Sequence, residues 1–195
     1  MDLITRMPQR RSIRLKDYDY SQEGAYFVTI CTQNKMMLFE NDGIRAVAER
    51  CWQEIPEHFS NVQLDEWIIM PNHLHGILII IDKCRAMTYC ATSDHNFRRG
   101  DPVGRPYIRP HGPAPDSIGT IIGQFKSVVT KKVNKLRGTP GAAIWQRNYY
   151  EHVIRNETDL NDVRQYIIND PLQWDMDEEN PSWQMDESTS PKICV

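Results

Sequence analysis

The stretch from Trp67 to Ile81, WIIMPNHLHGILIII, constrains the fold of this chain more than any other. Two runs rich in β-branched and apolar residues flank the tripeptide Met70-Pro71-Asn72, which predicts the tight turn of a β-hairpin. The run from Ile77 to Ile81 is continuously apolar, which is typical of a strand that is covered on both faces. The sequence therefore predicts a buried hairpin at the centre of a sheet.

Two histidines begin the second arm of this hairpin. Only Leu74 separates His73 from His75, and a strand sends residues i and i+2 to the same face. The two imidazoles are therefore expected to project together, as the ligands of a metal ion do. The alternative is that both are partly exposed polar residues near the start of a strand.

The size and composition indicate one domain with appendages. The chain has 195 residues, which is most simply a single domain. It has no run of about eighteen apolar residues and no charged-then-apolar leader, which predicts a cytoplasmic protein without a membrane span. The five cysteines are scattered without a C-x-x-C pair and are interpreted as reduced thiols.

Charge is segregated along the chain. Residues 175–195 carry a balance of −5, and subtracting this from the total of −3 leaves +2 for the other residues. Basic residues cluster within 6–16 and 126–137. Such clusters are often solvated faces, but two in one small domain also fit a partner with a phosphate backbone.

The remaining pattern alternates between strand and helix. The predicted elements are a strand from Tyr26 to Thr32, a helix from Asn41 towards Pro56, strands from Val62 to Ile69 and from His73 to Ile81, a helix capped by Asp116 or Ser117 and closed by Gly138, a strand from Tyr149 to Ile154, and a helix capped by Asn156 and stopped by Pro171. This order, β-α-β-β-α-β and a further helix, predicts an α+β, ferredoxin-like split β-α-β fold. Its antiparallel sheet has helices on one face.

Three segments fall outside this pattern. Residues 1–17 read as a flexible basic arm, residues 83–116 as an irregular loop rich in Pro, Gly and Arg, and residues 175–195 as an acidic tail. The structured domain is therefore predicted to span residues 18–174.

The C-terminal helix carries a second candidate pair. Tyr166 and Asp170 are four residues apart, so they lie about 40° from each other around the helix axis. Both border the predicted buried stripe, which consists of Leu160, Val163 and Ile167. If that stripe packs on the sheet, a phenol and a carboxylate lie at the margin of the sheet. The alternative is a rim tyrosine and an ordinary aspartate of the last turn.

Four segments taken together resemble a known family. They are MPNHLHGILI, the basic helix IGQFKSVVTKKVNK, WQRNYYEHVIRN, and the helix end YIINDP. In this order and spacing they are similar to the HUH single-tyrosine transposases of bacterial insertion sequences, and most similar to the REP-associated tyrosine transposases. The resemblance covers roughly residues 15–174.

The resemblance implies roles for the candidate residues. His73 and His75 match the two histidines of the HUH motif, and Tyr166 matches the nucleophilic tyrosine. The third metal ligand in the family is typically an amide one turn after the tyrosine. Here that position is Asp170, with Asn169 as an alternative. The implied cofactor is a divalent ion, Mg²⁺ or Mn²⁺.

The implied function is a metal-dependent endonuclease and strand transferase of single-stranded DNA. It would act through a covalent 5′-phosphotyrosine. The implied partners are single-stranded or hairpin DNA and, in some relatives, a second copy that exchanges the tyrosine helix. Six residues are candidate DNA contacts: Arg11, Arg14, Lys126, Lys131, Tyr150 and His152. The alternatives are a non-catalytic DNA-binding protein on the same fold and a metal-dependent phosphohydrolase.

Overall fold

The computed structural model describes residues 18–81 and 114–174, together with Asn180. The predicted basic arm with Arg11 and Arg14, most of the predicted loop, and all of the acidic tail except Asn180 lie outside these residues. None of the helices within the described ranges is long and apolar enough to cross a bilayer.

The described residues form four strands and four α-helices. In chain order they are β1 (Gly24–Cys31), α1 (Asp42–Gln53), α2 (Ile55–His58), β2 (Val62–Ile69), β3 (His73–Ile80), α3 (Ile118–Arg137), β4 (Tyr150–Ile154) and α4 (Glu157–Gln173). Each long helix begins at a predicted cap. The side chains of Asn41, Ser117 and Asn156 each accept the backbone N–H of the third helical residue, in α1, α3 and α4 respectively.

The strands form one antiparallel sheet in the order β2-β3-β1-β4. This is the strand order of the split β-α-β arrangement, in which β1 and β3 are central and the hairpin of β2 and β3 reaches one edge. The predicted α+β, ferredoxin-like fold is confirmed. Because β3 is paired on both sides, its two histidines lie on a rigid central strand.

One face of the sheet is packed by α1 and α3. Residues of alternating position on β1 and β3, such as Val28, Ile30 and Leu78, meet the apolar stripes of the two helices in one core cluster. At Gly76 of β3 the strand and α1 approach so closely that there is no room for a side chain. A Cβ added to Gly76 would lie 2.4 Å from the ring of Trp52 on α1, so only glycine allows this helix to approach β3.

Among the described elements, α4 is the helix that packs on the opposite face. A smaller cluster joins Phe27, Ile77 and Ile154 of the sheet to Ile167, with Leu160 and Val163 of α4 packed against it. The predicted stripe of this helix therefore lies on the sheet. Phe27, Ile77 and Ile154 thus point away from the main core and face α4, the helix that carries Tyr166.

Two sequence expectations are corrected by the structure. The sequence predicts a buried stripe along α3 that consists of Ile118, Ile122, Phe125, Val129, Val133 and Leu136. Leu136 is instead 62% exposed, and Ile121, outside that stripe, is fully buried. The last turn of α3 therefore extends beyond the packed part of the stripe. Pro171 was expected to stop α4, but the helix continues to Gln173. A proline lacks only its own backbone N–H, so the hydrogen bonds of the neighbouring residues can continue the helix. Just beyond the helix, the carbonyl oxygen of Trp174 accepts a hydrogen bond from the side-chain amide of Asn180 at 2.9 Å.

Candidate metal centre on the tyrosine helix

The two histidines share the face of the sheet that α4 covers. His73 and His75 alternate along β3 with Leu74, which belongs to the main core on the other face. Both histidines are at most 4% exposed. The period of the strand thus separates an apolar set from a pair of imidazoles, as the sequence predicted.

Helix α4 brings a carboxylate to these imidazoles. Asp170 Oδ2 lies 3.6 Å from His73 Nε2 and 3.9 Å from His75 Nε2. The ligand atoms of the three residues lie within 4.8 Å of one another, and all three residues are buried. Asn169, the alternative third ligand, is exposed, so the structure places Asp170 beside the histidines.

The Nδ1 atoms of both histidines have hydrogen-bond partners. His73 Nδ1 donates to Asn72 Oδ1 at 2.7 Å, and His75 Nδ1 lies 2.8 Å from the hydroxyl of Thr29. Because Asn72 Oδ1 can only accept, His73 Nδ1 carries the proton and its Nε2 carries the lone pair. The Thr29 hydroxyl can accept from His75 Nδ1 in the same way. A partner on the far nitrogen commonly fixes the tautomer and orientation of a metal-binding histidine.

The electrostatics of the cluster suit a cation. Burial lowers the pKa of His75 to about 3, with His73 acting in the same direction and Asp170 opposing it, so this imidazole is neutral at neutral pH. Asp170 Oδ2 is buried and has no hydrogen-bond partner among the described residues. A buried acceptor in that state is costly unless a cation satisfies it.

A divalent ion fits this donor set. Such ions lie about 2.0 to 2.2 Å from imidazole nitrogens and carboxylate oxygens, so neighbouring ligand atoms are typically about 3 to 4 Å apart. The distances from Asp170 Oδ2 to the two imidazoles fall in this range. His73, His75 and Asp170 therefore bring two imidazole nitrogens and one carboxylate oxygen within 4.8 Å of one another, a grouping that could hold a metal ion.

Tyr166 lies at the rim of the same cluster. Its hydroxyl is 3.4 Å from His75 Nε2, one helical turn before Asp170. Its ring packs edge-on against Phe27 and His75, with centroid distances of 6.0 and 5.2 Å. The side chain is 48% exposed, so the phenol is held by packing on one side and remains accessible on the other.

Several polar contacts fix α4 in this position, and the sequence did not predict them. Arg164 forms a bidentate pair with Asp65 on β2, at 2.6 and 3.1 Å, and this guanidinium holds the pKa of Asp65 below its usual value. In the first turn of α4, Asp159 accepts from the backbone of Arg155 and pairs with His152 at 3.1 Å. The helix is therefore anchored at both its start and its middle.

The predicted DNA contacts have different positions. Tyr150 is 40% exposed and lies edge-on to Phe27, on the same face as Tyr166. His152 is on that face too, but its ring is paired with Asp159. The ammonium of Lys126 donates to three carbonyl oxygens of residues 146–148, and burial lowers its pKa to about 8. Lys131 is exposed on α3.

Known proteins with this fold were compared with the chain. A solved structure of a REP-associated tyrosine transposase bound to a REP hairpin superposes with a TM-score of 0.52 and 16% sequence identity. The match covers 82% of this chain and 73% of that one. The chain thus has the fold of a REP-associated tyrosine transposase and carries a pair of histidines like that of the HUH motif.

The sequence also has a relative of similar length. It is 37% identical over 177 residues to an uncharacterized protein of Haemophilus influenzae, which is 87% of this chain and 92% of that protein. The chain belongs to the same family as that protein. No protein-family model matches the sequence.

Proposed function

We propose that this protein is a metal-dependent transposase that nicks and rejoins single-stranded DNA through Tyr166. Two kinds of observation support the proposal. The fold is that of a solved transposase bound to a REP hairpin, and the described residues include a tyrosine beside a buried His-His-Asp cluster. The hairpin in that structure favours hairpin DNA as the substrate of this chain.

The reaction begins at the phenol of Tyr166. Its oxygen attacks the scissile phosphorus in line, the bond from phosphorus to the 3′ oxygen breaks, and a 3′ hydroxyl leaves. The result is a 5′-phosphotyrosine link to Tyr166. Because the link retains the phosphodiester bond energy, attack by a second 3′ hydroxyl rejoins a strand and restores the phenol without ATP.

A phenol is a poor nucleophile at neutral pH, since its ordinary pKa is about 10. A divalent ion on His73, His75 and Asp170 would supply the charge that favours the phenolate and neutralises the scissile phosphate. Residues of the chain itself provide for proton release and for the position of the nucleophile. The exposed side of Tyr166 lets its proton pass to solvent, and the packing of its ring on Phe27 and His75 holds the oxygen beside the metal ligands.

The single observation that carries the proposal is the 3.4 Å distance between the Tyr166 hydroxyl and His75 Nε2. A metal-dependent phosphohydrolase requires no tyrosine at this point. A DNA-binding protein that lacks catalysis requires neither the tyrosine nor the cluster.

The test is incubation with single-stranded DNA that contains a hairpin, in the presence of Mg²⁺ or Mn²⁺, followed by denaturing gels. A 3′ label is expected to move with the protein as a covalent adduct, and a 5′ label is expected to appear in a shorter fragment. Tyr166→Phe should abolish both products, whereas Tyr150→Phe, the matched control, should retain them. His73→Ala should abolish them by removing a metal ligand.

Two outcomes would reject the proposal. Binding of the hairpins without any adduct in either metal would identify a DNA-binding protein. Cleavage that persists in Tyr166→Phe would identify hydrolysis by water.

A further inference from the structure

Four rings lie in a row across the candidate metal centre. Tyr166 and Trp174 on the side of α4 flank the two histidines of β3. The ring centroids are 5.2 Å apart from Tyr166 to His75, 4.5 Å from His75 to His73, and 5.8 Å from His73 to Trp174. All three distances are in the range of packed aromatic pairs, about 4.5 to 7 Å. Trp174 therefore bounds the site at the end away from Tyr166.

The spacing of residues on α4 accounts for this row. Tyr166, Asp170 and Trp174 follow one another at intervals of four residues, so they lie on the same side of the helix. Tyr166 contacts His75, Asp170 lies close to both histidines, and Trp174 packs against His73. One side of the helix thus supplies the candidate nucleophile, a candidate metal ligand and a second aromatic ring, in that order.

The two ends of the row differ in their exposure to solvent. Tyr166 is 48% exposed, whereas Trp174 is partly buried. His73, the histidine beside Trp174, is only 1% exposed. The site is therefore more open at the end of Tyr166 than at the end of Trp174.

A buried amide holds the backbone that carries Trp174. The last four carbonyl oxygens of a helix have no partner within the helix, and Pro171 removes one more backbone donor near this end. The side-chain amide of Asn180 donates to the carbonyl oxygen of Trp174 at 2.9 Å. Asn180 is itself only 4% exposed. The end of the tyrosine helix is thus fixed by a residue six positions further along the chain.

We propose that Trp174 is a positioning residue of the metal centre. It closes the His73 end of the site, so that a bound ion is reached from the end of Tyr166, and Asn180 holds it there. The apolar surroundings of a metal site control the access of solvent to the ion. The indole also limits the movement of the His73 ring by packing against it. This inference rests on the metal site of the proposed function.

The experiment compares Mn²⁺ binding by variants of the full chain. Electron paramagnetic resonance measures the dissociation constant, and the relaxation rate of water protons measures how freely solvent reaches the bound ion. Trp174→Ala should weaken Mn²⁺ binding roughly 10-fold and raise the relaxation rate per bound ion, because it opens the covered end. Trp174→Phe keeps a ring beside His73 and should retain most of both wild-type values.

Asn180→Ala tests how Trp174 is held. The loss of one hydrogen bond should weaken Mn²⁺ binding roughly 2- to 10-fold. In the Trp174→Ala background the same substitution should cause no further loss, because the two residues act through one contact. An equal loss in both backgrounds would overturn the role of Asn180 in holding Trp174.

Trp67→Ala is the matched control. Trp67 is also a partly buried tryptophan, but it packs against the main core on the other face of the sheet. This variant should lower the urea midpoint and leave both Mn²⁺ measurements at their wild-type values. If it loses Mn²⁺ affinity as Trp174→Ala does, the loss reflects general destabilisation and the inference is rejected.

The outcomes separate this inference from the proposed function. If Trp174→Ala has the wild-type affinity and relaxation rate while the wild-type chain forms the Tyr166 adduct, the role of Trp174 is rejected and the proposed function stands. If Trp174→Ala shows both changes and the wild-type chain forms no adduct, the role of Trp174 stands and the proposed chemistry fails. If the wild-type chain does not bind Mn²⁺, both are rejected.

Discussion

The two faces of the sheet are built by the same strands, yet they differ in what they bury. On the face of α1 and α3, β3 contributes Leu74 and Leu78 to an apolar core. On the face of α4, the intervening positions His73 and His75 meet a carboxylate. The side chains of all four are almost completely buried. The period of one strand is thus sufficient to separate the residues that stabilise the fold from those that could perform chemistry.

The faces differ in energetics as well as composition. Trp52 fits against Gly76 so closely that no side chain can be added there. By contrast, Asp170 Oδ2 is buried without a hydrogen-bond partner in the described part of the chain, and such a group costs roughly 1 to 3 kcal/mol. Substitutions in the contact of Trp52 with Gly76 should therefore change stability, and substitutions of the metal ligands or their hydrogen-bond partners should change binding.

The largest expected effect is on the first face. Trp52→Ala removes a fully buried ring and should lower the free energy of unfolding by about 3 to 5 kcal/mol, measured by urea denaturation. The affinity of the folded fraction for Mn²⁺ should not change, since Trp52 and the metal ligands lie on opposite faces of the sheet.

The contact with Gly76 provides the control for this effect. Gly76→Ala should cost about 1 to 3 kcal/mol by overpacking, and much of that cost should disappear in the Trp52→Ala background. Equal costs of Gly76→Ala in both backgrounds would show that the close approach to Trp52 is not what requires glycine.

On the second face, Tyr150→Ala should weaken binding of single-stranded DNA by about 1 to 3 kcal/mol, because its ring is 40% exposed, contacts Phe27 as Tyr166 does, and can stack on an unpaired base. Tyr150→Phe should retain most of the affinity. Fluorescence anisotropy with a labelled oligonucleotide measures both variants. If Tyr150→Ala binds as tightly as the wild-type chain, no base stacks at this position.

Removal of the hydroxyl that contacts His75 should weaken metal binding. Thr29→Val eliminates the partner of Nδ1, and loss of such a partner typically costs 10- to 100-fold in metal affinity. Isothermal titration with Mn²⁺ measures the change, and the urea midpoint of the metal-free chain should move little. An unchanged affinity would mean that Thr29 does not orient His75.

The smallest expected effect concerns the pair that anchors α4. Arg164 holds the pKa of Asp65 below its usual 3.8, so the ionised carboxylate stabilises the folded state. This contribution is complete above the pKa of the unfolded chain and is lost as the pH falls through the lower pKa of the folded state. The difference in urea midpoint between the wild-type chain and Asp65→Asn should therefore shrink from pH 7 to pH 3. A constant difference would contradict the pairing.

Local sequence patterns predicted most of the elements, because capping and alternation are encoded within a few residues. The bounds of β2 and the helix caps Ser117 and Asn156 agree with the structure. The two errors, at Leu136 and Pro171, concern how far a helix continues and how far its packing partner extends. Those lengths depend on tertiary contacts, which a local pattern does not contain.

The site was predictable in part for the same reason. The shared face of His73 and His75 follows from the strand period, and the shared side of Tyr166 and Asp170 follows from the helix period. The hydrogen bond between His75 Nδ1 and the Thr29 hydroxyl joins residues that are 46 positions apart, so it depends on the register of β1 and β3. The pair of Arg164 with Asp65 spans 99 residues. Only the folded chain shows such long-range contacts.

The central claim is that β3 and α4 together build one metal site beside Tyr166. Electron paramagnetic resonance with Mn²⁺ tests it without relying on activity. The wild-type chain should bind one ion, Asp170→Ala and His73→Ala should lose it, and Asn169→Ala should retain it because Asn169 is exposed. Retention of the ion in Asp170→Ala together with its loss in Asn169→Ala, or no binding by the wild-type chain, would contradict the claim.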